Sequence, residues 1–93
     1  MAIEVRWTKI AVADLVSTIE FISAKNSEAA RTVVKKVLDG LDQLSAFPES
    51  GKDGRIHGTR ELFISTTSLF IVYRIKENHL EILAILHSAR KWP

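Results

Sequence analysis

The last twenty-five residues, 69–93, constrain the fold more than any other part of the chain. They read as one β-hairpin whose two faces are both apolar, closed by the polar tail His87-Ser88-Ala89-Arg90-Lys91-Trp92-Pro93. Side chains on a strand alternate between faces, so such a hairpin needs cover on both sides. With Glu77-Asn78 as a two-residue turn, Lys76 opposes His79, and pairing continues as Arg74 with Glu81, Val72 with Leu83, Phe70 with Ile85 and Ser68 with His87. The other face then holds Ile75 with Leu80, Tyr73 with Ile82, Ile71 with Ala84 and Leu69 with Leu86. This second set is the more continuous apolar surface and the expected seat of the helices. A chain of 93 residues has helices enough for one face only. The Phe70, Val72, Leu83 and Ile85 face is therefore expected to take a protein partner, unless the preceding loop folds over it. Arg74 and Glu81 read as a cross-strand ion pair or, functionally, as an anchor for an acidic partner.

Upstream, Ile3 to Trp7 alternates apolar and charged residues as a half-buried strand does. Thr8 is positioned to cap a helix over residues 10–25, in which Val12, Leu15, Val16, Ile19 and Ile22 recur at helical spacing, and Asn26 stops it. Ser27 can cap a second helix, with Glu28 at its positive end and Ala30, Val34, Val37, Leu41 and Leu44 forming a narrow seam. Three heptads are short for a coiled coil, so the seam predicts an antiparallel helix hairpin packed on a sheet. Pro48 ends the second helix. Residues 48–59, with Gly51, Gly54 and Gly58 among Lys52, Arg55 and His57, read as a mobile basic loop. The glycines do not match a phosphate-binding loop, which would open a helix rather than lead into a strand. Strands follow at 60–65, 69–76 and 79–87. The order βααβββ, with strands grouped and helices grouped, predicts a single α+β domain with a largely antiparallel small sheet.

Composition removes several kinds of chemistry. The chain has no cysteine, hence no disulfide framework and no thiolate ligand or nucleophile. His57, His79 and His87 lie far apart without metal-type spacing, so neither a metal site nor a cofactor is expected. No apolar run reaches the length of a membrane span, and the first residues lack a signal peptide's charged and apolar regions; a soluble, intracellular protein with no membrane partner is expected. A net charge of +2 is too mild to demand nucleic acid.

Several segments in order carry a family resemblance. They are the Ala29-Ala30 pair opening the second helix, Leu44 to Pro48 with the glycines after it, Gly58-Thr59-Arg60-Glu61-Leu62, Ile71-Val72-Tyr73-Arg74-Ile75, and the stretch from Ile85 to Pro93. Together they resemble the RelE/ParE toxins of type II toxin-antitoxin modules, over nearly the whole chain, and the tail is most similar to the ParE branch. The resemblance implies a small toxin neutralised by a cognate antitoxin that folds along it, as a homodimer or a hetero-oligomer with that antitoxin.

The family holds two activities. RelE-like members cleave mRNA in the ribosomal A site through a basic cluster on the sheet, whereas ParE-like members block DNA gyrase and cut nothing. Transesterification at a 2′-hydroxyl needs a base, cations for the phosphorane charge and an acid for the leaving oxygen. Aligned on Val72-Tyr73, the cations of RelE-type nucleases fall at Glu61, Phe63 and Phe70, and the chain ends at Pro93, before the position of their catalytic tyrosine. Arg90 alone matches. The expectation is a non-catalytic gyrase inhibitor, with Arg90, Lys91 and Trp92 facing the target and Phe70, Val72, Arg74, Leu83 and Ile85 facing the antitoxin. The alternative is a ribosome-dependent mRNA endonuclease, with ribosome and mRNA as partners and His57, Arg60, Arg74, His87 and Arg90 gathered at one sheet edge. A third possibility is a degenerate member that retains only complex formation and operator co-repression.

Overall fold

A computed structural model describes residues 2–88. Strand β1 (Glu4–Trp7) leads into helix α1 (Lys9–Lys25) and helix α2 (Ser27–Ala46), followed by β2 (Lys52–Asp53), β3 (Arg60–Phe63), β4 (Leu69–Lys76) and β5 (His79–His87). The five strands form one sheet in the order β1-β5-β4-β3-β2. All neighbours are antiparallel except β1, which pairs parallel with β5 through Val5 opposite Leu80 and Trp7 opposite Ile82. The expected α+β architecture is the one observed. The two-residue β2, inside the presumed loop, is an addition that its length and its charged residues kept out of the pattern.

The helices begin and end for local reasons. The Thr8 hydroxyl accepts a hydrogen bond from the Ala11 amide at 3.1 Å, capping α1. Asn26 serves both helices: its amide donates to the Ile22 carbonyl at the end of α1, and its Oδ1 accepts from the Glu28 and Ala29 amides at the start of α2. Ser27, expected to be the cap, is instead the first helical residue. Asn26 is extended, with φ −162° and ψ 102°, which frees its short side chain to reach forward.

Both helices lie on one face of the sheet. Ala11, Val37 and Leu44 pack with Leu62, Ile71, Tyr73, Leu80, Ile82 and Ile85 in a single core. Gly40 lets α2 approach closely, since a Cβ there would stand 2.9 Å from Ile64 Cδ1. On α1 the buried line runs through Ala11 and Thr18, while Val12 and Val16 are each about half exposed.

The hairpin register holds for only half its length. Lys76 pairs with His79, Ile75 with Leu80, Arg74 with Glu81 and Tyr73 with Ile82, and then the register shifts. Beyond the shift Val72 faces Ala84, Ile71 faces Ile85, Phe70 faces Leu86 and Leu69 faces His87. Leu83 is the extra residue of a β-bulge. The bulge exchanges the faces of everything after it. Ile85, expected on the partner face, belongs to the helix-side core, and Ala84 and Leu86 lie on the opposite face with Phe70 and Val72.

Candidate functional site

The bulge is hydrogen-bonded to the start of α1. The Thr8 hydroxyl donates to the Leu83 carbonyl at 3.2 Å, and Asp14 Oδ2 accepts from the Ile85 amide at 3.0 Å. β1 ends opposite Ile82, so the outer edge of β5 beyond that point would otherwise leave these groups unpaired. The first turns of α1 take the place of a strand there.

After β2, residues 54–59 of the expected loop form a hydrogen-bonded strap on the sheet face away from the helices. The Gly54 amide donates to the Thr59 carbonyl at 2.8 Å, and the Thr59 amide and hydroxyl both donate to the Ile56 carbonyl. Glu61 anchors this turn. Its Oε2 accepts from the Arg55 amide at 3.1 Å, and its Oε1 lies 3.6 Å from the Arg55 guanidinium. The carboxylate is fully buried. Among the described residues Oε1 accepts no hydrogen bond, and the charge attraction to Arg55 offsets its burial.

Cations and rings interleave above the sheet. Phe63 and Phe70 are stacked, with ring centroids 4.8 Å apart and planes 19° from parallel. The Lys52 ammonium sits 4.7 Å from the Phe63 ring, and the Arg55 guanidinium 5.3 Å from the Phe70 ring. Phe70 and Val72 are thereby almost completely buried within the chain itself, at 0% and 1% exposure. The argument that this whole face awaits a partner fails at Phe70 and Val72, which the chain itself covers.

What stays open is a groove of about 530 Å³ between strap and helix. Val72, Leu83, Ala84 and Leu86 form its floor, Ile56 and residues 57–59 one wall, and Ile10 and Asp14 of α1 the other. Ile10 is 67% exposed and Ile56 40%, so both rims are apolar. Arg74 closes one end, its Nε donating to Glu81 Oε1 at 2.7 Å. Of the residues expected to meet an antitoxin, Val72, Arg74 and Leu83 line this groove. Phe70 lies under the strap and Ile85 on the far side of the sheet.

The second end of α2 is pinned on the helix side. The Tyr73 hydroxyl donates to the Pro48 carbonyl at 2.7 Å and accepts from the Gly51 amide at 2.9 Å. Arg60 Nη1 donates to the Glu49 and Gly51 carbonyls. Burial raises the Tyr73 pKa above its ordinary value, opposed in part by the Gly51 hydrogen bond and the nearby Arg60 charge.

The structure brings some of the possible catalytic residues together and not others: His57 on the strap lines the groove with Arg74 and a second cleft with Arg60, although the Arg60 guanidinium itself is tied to the Glu49 and Gly51 carbonyls. His87 pairs with Leu69 and its Nδ1 is 3.3 Å from the Ser68 hydroxyl. Arg74 faces Glu81, six residues from His87 on β5, a separation on the order of 20 Å in an extended strand. General acid and base must both reach one reacting group within about 3 Å or through one water. His87 and Arg74 do not meet that condition. Arg90, Lys91 and Trp92 lie outside the described residues. Among the described residues no three acidic or histidine side chains gather as a metal site would require, and no helix is long and apolar enough to cross a membrane.

Three comparisons bear on this geometry. A Sinorhizobium fredii protein named "Putative toxin Y4kP" is 36% identical over 89 residues, covering 96% of this chain and 92% of that protein. A solved structure described as "Chromosomal ParDE TA system from P. aeruginosa" superposes with a TM-score of 0.82 at 22% identity, over 92% of this chain and 96% of the other. At that identity the superposition speaks for the fold. The family described as "ParE toxin of type II toxin-antitoxin system, parDE" matches residues 5–92. With nearly its whole length matched, the chain belongs to the ParE toxin family of type II toxin-antitoxin systems.

Proposed function

We propose that this toxin acts without catalysis, by protein contact with DNA gyrase, and is silenced by a cognate antitoxin seated in the groove between α1 and the strap. One observation carries the non-catalytic half. The three sheet positions that hold cations in RelE-type nucleases hold Glu61, Phe63 and Phe70, and here they form a buried acid and a ring stack in which Phe70 is buried and Phe63 partly exposed. Lys52 and Arg55, which do stand on this face, lie over the Phe63 and Phe70 rings, and Arg55 also faces the buried Glu61, so both are engaged within the chain rather than set to meet the charge that phosphoryl transfer develops. The separation of His87 from Arg74 along β5 supports the same reading.

The antitoxin half rests on the groove. Family membership brings an antitoxin partner, and the groove offers apolar rims at Ile10 and Ile56 with a floor of Val72, Leu83 and Leu86. Exposed apolar surface framed by polar groups is the usual form of a protein-binding site. Arg90, Lys91 and Trp92 combine two cations with an aromatic, the composition of an interface hot spot, and are assigned to gyrase. Such a target places the toxin in the cytoplasm. Purified toxin is expected to inhibit gyrase supercoiling, with Arg90→Ala and Trp92→Ala weakening inhibition while antitoxin binding persists. Equal loss of both activities in these variants would remove the tail from the gyrase contact.

A further inference from the structure

We infer that Glu61 is a positioning residue for partner binding: it latches the strap at the distance from α1 that makes the groove, and so sets how tightly the antitoxin seats. The inference rests on the groove reading above. It begins from the cost of the arrangement. A carboxylate at 0% side-chain exposure, one oxygen of which has no hydrogen bond among the described residues, is expensive to bury, and a core position opposite Val72 would be filled more stably by an apolar residue. Both of its contacts, the Arg55 amide and the Arg55 guanidinium, lie on the strap. Stability of the sheet gives no reason for the acid, whereas placement of the strap does.

The pairing of Lys52 and Asp53 with β3 ties down the start of the strap, and at Arg55 the Glu61 carboxylate joins the Phe70 ring in holding it. Its internal bonds shape the turn between Gly54 and Thr59, and Gly58 takes φ +85° with nothing within 4 Å of where a Cβ would be. The turn is thus preformed and then attached to the sheet through Arg55. Immediately after Arg55 come Ile56 and residues 57–59, the wall of the groove. A wall free to move would have to be ordered on binding, and preordering it raises affinity without adding any contact.

Glu61→Gln tests the latch, because glutamine keeps one acceptor and the same shape but turns an N–H₂ toward the guanidinium or loses the Arg55 amide bond. Amide hydrogen exchange on the free toxin and calorimetric titration with the purified antitoxin of its own module give the two readouts. The expected result is faster exchange at Gly54, Arg55 and Thr59, unchanged protection in β4 and β5, and antitoxin affinity lowered on the order of tenfold. Val37→Ala, which loosens the core away from the strap, should leave affinity within about twofold, separating position from stability. Retained strap protection in Glu61→Gln, or rapid strap exchange with unaltered affinity, overturns the inference. Leu83→Asp tests the groove itself. If Leu83→Asp binds normally, the groove assignment fails, and strap exchange in Glu61→Gln still decides whether Glu61 is a latch.

Discussion

Gly51 has no room for a side chain: a Cβ there would stand 2.6 Å from the Tyr73 hydroxyl oxygen, 2.8 Å from its ring and 3.0 Å from the Glu61 carbonyl. The first two neighbours belong to a buried tyrosine whose hydroxyl is fixed by Pro48, so neither can yield cheaply. Gly51→Ala should destabilise the fold by about 1–3 kcal/mol, the scale of overpacking, as read by denaturant unfolding. Tyr73→Phe attacks the same pin from the other side, leaving the Pro48 carbonyl and Gly51 amide unpaired at a cost of about 1–3 kcal/mol. The tyrosine also gives a pH signature. Because its folded pKa is raised, its contribution is complete below the unfolded value of about 10 and is lost as pH climbs through the folded one. Tyr73 is the sole tyrosine of the chain, so its absorbance titration is unambiguous and should have a midpoint above about 10. The stability difference between wild type and Tyr73→Phe should narrow over the same alkaline range; a constant difference would contradict the assignment.

At the scale of elements, the helices and the near half of the hairpin were legible because their signals are local. Thr8 caps three residues ahead, Asn26 stops the first helix, and Glu77-Asn78 fixes the first four pairs of β4 with β5, whereas the cap of the second helix is Asn26 and not the Ser27 expected. The bulge was not legible, since the Asp14 carboxylate that accepts from the Ile85 amide is 71 residues away in sequence. Alternation continued past Leu83 gives a plausible but wrong face for Ile85. The strap escaped notice for a different reason. Its three glycines and its cations suggest mobility, and only the acid at 61, in a segment whose face is apolar at Phe63, hinted that a loop cation had a seat on the sheet. Asp14→Ala should expose the dependence of the bulge on α1: the Ile85 amide loses its partner, stability falls by about 1–3 kcal/mol, and exchange quickens first at Ile85. Unchanged protection at Ile85 would mean that the strands alone hold the bulge.

At the scale of the molecule, one sheet serves two purposes on its two faces. The helix side carries the fold's main core, including Tyr73, Leu80 and Ile82, all at 0% exposure. The other side is closed at one end by strap, rings and cations, and left open at the other as the groove beside α1. A nuclease of this fold would need that face bare and cationic; a toxin that works by contact needs only a surface for its target and a surface for its inhibitor. The family membership is shown by the match over residues 5–92, and the geometry adds to it a groove beside α1 on the face away from the main core.

The central claim is that toxicity comes from contact with gyrase and not from cleavage of mRNA. Purified toxin should be titrated into a DNA gyrase supercoiling assay and, in parallel, into a ribosome translation reaction whose mRNA is followed by primer extension. The account predicts loss of supercoiling, restored by antitoxin, with translation and mRNA intact. Unimpaired supercoiling together with ribosome-dependent mRNA cleavage would contradict it.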